Sequence, residues 1–139
     1  MRRRSKAREL ALQILYQIDI TGDNYEESLD NFWKGYSEEI LKDEIKDFTS
    51  ELVKGVALNL ESIDTKISKY ATNWELKRMA VIDRNILRLS SFELLFRSDI
   101  PLKVSINEAV ELAKKYSSPE ASKFVNGILD KIKLERPGS

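Results

Sequence analysis

The residues best suited to chemistry in this chain are cations. Residues 1–8 carry five basic side chains and no acid: Arg2, Arg3, Arg4, Lys6 and Arg8. Cations at the start of a helix oppose its macrodipole, by roughly 0.3–1 kcal/mol each when close and unscreened, so helix stability does not account for them. A phosphate backbone would, because each neutralised phosphate releases counterions. Arg4, Arg8 and Tyr16 recur at spacings of four and eight, which predicts one helical side outside the apolar stripe. Cations beside an aromatic ring suit single-stranded RNA, whose unstacked bases can lie on the ring. Lys114-Lys115-Tyr116 and Lys123-Phe124 offer a second basic and aromatic set. Charge alone leaves a merely solvated terminus open. An aromatic at helical spacing also fills a core as readily as it stacks on a base.

Other chemistries are poorly served. The sequence holds no cysteine and no histidine. It therefore lacks a thiolate nucleophile, a disulfide framework, and the commonest general base and metal ligand. No Gly-rich phosphate loop, HExxH, EF-hand or nucleophile elbow is present. Acidic pairs such as Glu38-Glu39 and Asp43-Glu44 read as solvated helix faces. A non-catalytic protein without a cofactor or metal is expected. No apolar run approaches bilayer length and no signal region follows the arginines, so a cytoplasmic chain is expected. The formal net charge is zero, which by itself argues against a nucleic-acid binder. The average hides a split, since residues 19–51 carry eleven acids against three lysines. Such polarity suggests one anionic partner and one further surface.

Helices must position these groups. Ala7, Leu10, Ala11, Ile14, Leu15 and Ile18 follow a 3.6-residue repeat, predicting a first helix over about 4–19. Asp23 or Asn24 can cap a short second helix bearing Leu29, Phe32 and Trp33, with Gly35 near its end. Ser37 can cap a third whose stripe includes Leu41, Ile45, Phe48, Leu52 and Val56, stopping near Asn59. A fourth runs through Ile63, Ile67 and Tyr70. Thr72 and Glu75 predict the start of a fifth, to about Arg97, apolar on most sides and hence central. Its charges, Asp83, Arg84, Arg88, Glu93 and Arg97, read mainly as structural ion pairs, with Glu93–Arg97 at the favourable i,i+4 spacing. Ser105 and Glu108 predict a capping box for the sixth, and Ser118-Pro119 opens the seventh. Gly127 inside that last helix predicts close packing, because glycine there costs about 1 kcal/mol against alanine. The tail from Glu135 is expected to fray. The fold class is all-α, about seven helices joined by short turns.

Three stretches carry a family resemblance. They are RRSKARELALQILY (3–16), DRNILRL (83–89) leading into FELL (92–95), and PLKVSINEAVELAKKY (101–116) followed by KFVNGILD (123–130). In order and spacing they resemble the NusB family of antitermination factors, over nearly the whole chain. The resemblance implies two small helical bundles packed together and a single NusB-like RNA-binding domain over 1–139. It implies partnership with the ribosomal protein NusE, and joint binding of single-stranded boxA RNA in the RNA polymerase antitermination complex, notably on ribosomal RNA operons. It also implies that the protein is no enzyme and needs no cofactor. It leaves a homodimer open.

Carried onto matching positions, the resemblance implies RNA contacts at Arg3, Arg4, Arg8, Tyr16, Tyr116, Glu120, Lys123 and Phe124, and a NusE contact at Asp83. Ser5 departs from the family, where relatives often continue the arginine run. Glu120 stands where some have Asp. Two alternatives belong beside this reading. One is a NusB-like targeting domain of a ribosomal RNA methyltransferase, which would carry a catalytic domain beyond Ser139. The other is a purely protein-binding module in which the arginines are incidental.

Overall fold

The computed structural model describes residues 2–39 and 43–138. Among them are seven helices: α1 (Arg3–Thr21), α2 (Tyr25–Trp33), α3 (Glu44–Leu58), α4 (Leu60–Tyr70), α5 (Val81–Phe96), α6 (Leu102–Tyr116) and α7 (Pro119–Ile132). Single 3-10 turns occupy Leu76–Arg78 and Lys133–Glu135. No strand occurs among the described residues. Helices α1–α3 make one small bundle and α4–α7 the other. The central α5 belongs to the second bundle and joins it to the first, touching α1 and α3 as well as α4, α6 and α7.

The apolar stripes go where the repeat sends them. Ala7, Leu10, Ala11, Ile14 and Leu15 of α1 are buried, as are Leu52, Val53 and Val56 of α3 and Val125, Ile128, Leu129 and Ile132 of α7. Burying one such side chain contributes roughly 1.5–3 kcal/mol. Asn24 caps α2 by accepting from the backbone N–H groups of Glu26 and Glu27. Ser118 caps α7 by accepting from Ala121, with Pro119 in the first turn. Gly22 closes α1 in the left-handed region at φ 74°, its N–H donating to Ile18 O at 2.7 Å. Glycine takes that conformation without the Cβ clash of other residues.

Several expected boundaries move. Glu38 and Glu39, right after Ser37, are helical as expected, but the long helix α3 starts at Glu44 with Asp43 as its cap; the expected stripe residue Leu41 lies outside the described residues. Helix α5 starts at Val81, because Met79 and Ala80 are extended (ψ 151° and 137°) and Thr72–Glu75 lies in the turn before it. Met79 is itself buried and pins that turn to the core. Helix α6 starts at Leu102, so Ser105 is inside it and caps nothing. Glu93 and Arg97 do not pair; Arg97 binds Asp99 and Glu51 instead.

Gly127 also corrects its expectation. A Cβ built there meets nothing within 4 Å, whereas one at Gly55 would overlap the Phe92 ring. The close approach of helices is therefore at Gly55, between α3 and α5. Nor does the tail fray. Arg136 donates to four carbonyl oxygens, those of Leu94 (2.7 Å), Ile100 (2.8 Å), Glu93 (3.0 Å) and Arg97 (3.1 Å). Glu135 accepts from Lys66, Lys69 and Tyr70 of α4. The end of α5 is thus capped by a side chain from far along the chain, which satisfies carbonyls that a helix terminus leaves open.

Candidate nucleic-acid interface

The arginine run divides into two kinds. Arg2, Arg3 and Arg4 are exposed, and α1 begins without a side-chain cap or an acid in its first turn. Arg3 lies 3.3 Å from Glu44 and 3.9 Å from Asp43. The Arg4 guanidinium sits 4.3 Å from the centroid of the Phe48 ring. Arg8 is different, at 2% exposure. Its Nε and Nη2 each donate to the Glu93 carboxylate at 2.8 Å, and Ser105 donates to the same carboxylate at 2.7 Å. Its Nη1 lies 3.5 Å from Glu108, which also accepts from Ser5. The expectation that Arg8 stands on an outer face with Arg4 and Tyr16 is corrected. A bidentate pair satisfies a buried carboxylate far better than water-exposed charge would, and the geometry here is of that kind. Arg8 joins α1, α5 and α6 beneath the surface.

Tyr16 is 42% exposed but faces elsewhere than Arg4. At about 100° per residue, twelve residues place it about 120° round the helix. It lines an open groove of about 480 Å³ with Leu12, Gln13, Ile20, Ile82 and Tyr116. Tyr116 is 40% exposed and reaches this groove from the end of α6. A second groove, between α1 and α6, is lined by Arg2, Ser5, Glu9, Asn107, Glu111 and Lys115 among others. In this groove the cations are Arg2 and Lys115, while Arg2, Arg3, Arg4 and Arg8 together line another beside Asp99 and Pro101.

Glu9 holds the two helices in this relation. Its carboxylate, 6% exposed, accepts from Lys115 Nζ at 2.6 Å and from the Tyr116 hydroxyl. Burial pushes the Glu9 carboxyl up, but the hydrogen bonds from Lys115 and Tyr116 outweigh it and hold it below its ordinary value. The same bond to Glu9, helped by burial, raises the Tyr116 phenol. Tyr116 is thereby fixed by its edge, with part of its ring left to solvent.

On α7, Glu120 and Lys123 are exposed. Phe124 is half-buried against the core, so the packing and binding readings both apply to it. Its ring meets Trp74 edge-on, with centroids 6.0 Å apart and planes at 69°. Trp74, in the turn after α4, is 57% exposed, and no sequence pattern singles it out. Trp74 is the residue that sequence reasoning passes over, because it sits in a turn where no periodicity applies. Arg2 belongs to the basic cluster but not to the positions that the family resemblance matches to RNA contacts.

Asp83 stands in the first turn of α5, where a carboxylate is favoured by the helix dipole. Its Oδ1 is buried and has no hydrogen-bond partner among the described residues. The neighbouring arginines are structural, as expected. Arg84 clasps Asp19 at 2.6 and 2.8 Å, and Arg88 clasps Asp64 at 2.8 and 2.9 Å while also reaching Asp19. Burial raises the Asp19 carboxyl, but the bonds from Arg84 and Asn85 and the Arg88 charge hold it below its ordinary value. Among the described residues no cluster of carboxylates is placed to hold a metal ion, and no helix is long and apolar enough to cross a membrane.

Comparison with known proteins gives a consistent answer. The model of the NusB family matches residues 5–133. A transcription antitermination protein NusB from Anaeromyxobacter dehalogenans is 51% identical over 130 residues, covering 94% of this chain and 89% of that protein. One from Thermodesulfovibrio yellowstonii is 46% identical over 141 residues, covering 96% and 93%. The structure of NusB from T. maritima is similar at a TM-score of 0.86 and 36% identity, covering 98% of this chain and 93% of that one. A chain from a crystal structure of the antitermination factors NusB and NusE in complex with dsRNA is similar at 0.85 and 31% identity, covering 96% and 98%. With matching helices, matching sequence and coverage of nearly the whole length, the chain belongs to the NusB family.

Proposed function

We propose that this chain acts as a transcription antitermination factor. It binds boxA-type single-stranded RNA together with the ribosomal protein NusE, within the RNA polymerase antitermination complex, and supports processive transcription of ribosomal RNA operons. It works in the cytoplasm, as one RNA-binding domain over 1–139, and catalyses no reaction. The observation that carries this reading is the Glu9 clasp. It ties the basic start of α1 to Lys115 and Tyr116 of α6, so that two segments distant in sequence share one surface. A NusB relative is described with NusE and RNA, which supports the same partners here. The relatives compared are antitermination proteins, which favours this role over the targeting domain of a methyltransferase.

In this reading the RNA surface takes Arg2, Arg3, Arg4, Tyr16, Tyr116, Glu120, Lys123 and Phe124. Arg8 supports it from below as a positioning residue. Asp83 serves the protein partner. The test is a titration of labelled boxA RNA and a scrambled control, with and without NusE. The expected result is binding that tightens with NusE and weakens steeply with salt. Equal affinity for the scrambled RNA when NusE is present would refute the specific role. Asp83→Lys is expected to lose NusE and keep RNA.

A further inference from the structure

Trp74 is an indole left 57% exposed beside a candidate RNA-contacting phenylalanine. Exposed tryptophan is unusual enough, given its large apolar area, to ask what covers it. The surrounding open groove, about 1020 Å³, has a mixed lining in which Ala71 and Leu76 sit among Thr72, Asn73, Lys77 and Arg78, and its Asp19 and Asp64 are taken up by Arg84 and Arg88. Lys77 and Arg78 are respectively 81% and 75% exposed, held only loosely by Glu75 at 3.7 Å. A protein-binding hot spot would surround its tryptophan with an apolar, desolvated pocket. An aromatic ring open to solvent beside two exposed cations, Lys77 and Arg78, is instead what a single-stranded nucleic-acid site offers.

Gly127 supplies an independent observation. It lies inside α7, where a Cβ would meet nothing, although glycine in a helix costs about 1 kcal/mol against alanine. Packing gives no reason for it. Helical side chains lean back over the preceding turn, so a side chain at 127 would cover the surface beside Lys123 and Phe124. Glycine leaves that patch of backbone bare, about one helical turn along α7 from Phe124, whose ring Trp74 touches.

We propose that Trp74, Phe124 and the bare backbone at Gly127 form a second stacking site, which takes a nucleobase of single-stranded RNA, with Lys77, Arg78 and Lys123 receiving the flanking phosphates. This rests on the RNA-binding reading above and extends the surface past Phe124 to the turn after α4.

The chain has two tryptophans, and Trp33 is buried at 6% exposure, so Trp74 can report on its own occupancy. The experiment titrates the Trp33→Phe protein with 5′-labelled boxA RNA, following RNA anisotropy and tryptophan emission together. Should that variant fail to fold, the difference between wild type and Trp74→Phe gives the same signal. Saturable quenching of Trp74 in step with the anisotropy is expected. Trp74→Leu should weaken RNA binding roughly ten-fold, as loss of one stacked base does. Gly127→Ala should weaken it too while keeping or raising thermal stability, an outcome that a structural glycine would not give. Anisotropy showing full binding with unchanged Trp74 emission and an unaffected Trp74→Leu would overturn the site while leaving the RNA-binding role intact. Quenching by NusE alone, without RNA, would assign Trp74 to the protein partner and also overturn it. No anisotropy change for the wild type, with or without NusE, would remove the RNA-binding reading and this site with it.

Discussion

Arg4 and Arg8 are one helical turn apart in the same basic run, and the fold uses them in opposite ways. Arg4 rests its guanidinium on the Phe48 ring with the side chain open to solvent. Arg8 is enclosed, with its fork on Glu93 and Ser105 completing the carboxylate's partners. The difference arises in the neighbours. Arg8 falls between Ala7 and Ala11, both fully enclosed, and there it meets a buried carboxylate. A buried guanidinium is tolerable only with such a partner, because desolvation of an unpaired charge costs several kcal/mol. A run of one residue type is thus not one functional unit.

The largest expected effect breaks the buried half. Arg8→Ala leaves Glu93 enclosed without its counter-ion and should lose about 3–5 kcal/mol of stability, measured by urea unfolding. A loss below about 1 kcal/mol, as for an exposed pair, would show that the enclosed pair contributes no more than a surface one. The exposed half should respond in the reverse sense. Replacing Arg2 and Arg4 together by Ala should change stability by no more than about 0.5 kcal/mol, because surface sites rarely do more. The same double substitution should flatten the dependence of RNA affinity on salt, by about 0.7 in log–log slope for each phosphate no longer neutralised. An unchanged slope would remove both from the phosphate path.

The smallest effect concerns a charge cluster between these extremes. Glu135 is held down to about 2 by hydrogen bonds from Lys66 and Tyr70, against an ordinary value of 4.5. A carboxyl with a depressed folded pKa contributes stability that is fully present above its unfolded value. That contribution declines as the pH falls from about 4.5 towards 2. The difference in melting temperature between wild type and Glu135→Gln should therefore be constant above about pH 4.5 and shrink on acidification. A difference that grew with acidity would contradict the pairing.

Much of this fold is legible in the sequence because its helices are long and their apolar stripes regular. The centrality of α5 follows from the crowding of Ile86, Leu87, Leu89 and Leu94 on one short element, all at most 1% exposed. What misleads are local polar motifs. Ser105 and Glu108 have the spacing of a capping box, but Ser105 donates to Glu93 and Glu108 accepts from Ser5. Their partners lie on other helices, and no local rule reports those. Arg8 misleads in the same way, since charge argues for exposure and the buried Glu93 is 85 positions away. Trp74 escapes notice because a turn has no period to read. Gly127 stands out within its helix, but its meaning depends on the space beside it, which only the packed helices define.

The grip of Arg136 on the end of α5 gives the tail an influence out of proportion to its length. Carboxypeptidase trimming past residue 136 would uncover the carbonyls of Glu93, Leu94, Arg97 and Ile100 together. The peptide N–H groups of that last turn would then exchange with solvent faster, although no residue of α5 had been altered. For the same reason a fusion partner joined close behind Arg136 acts on the centre of the molecule and not on a free end.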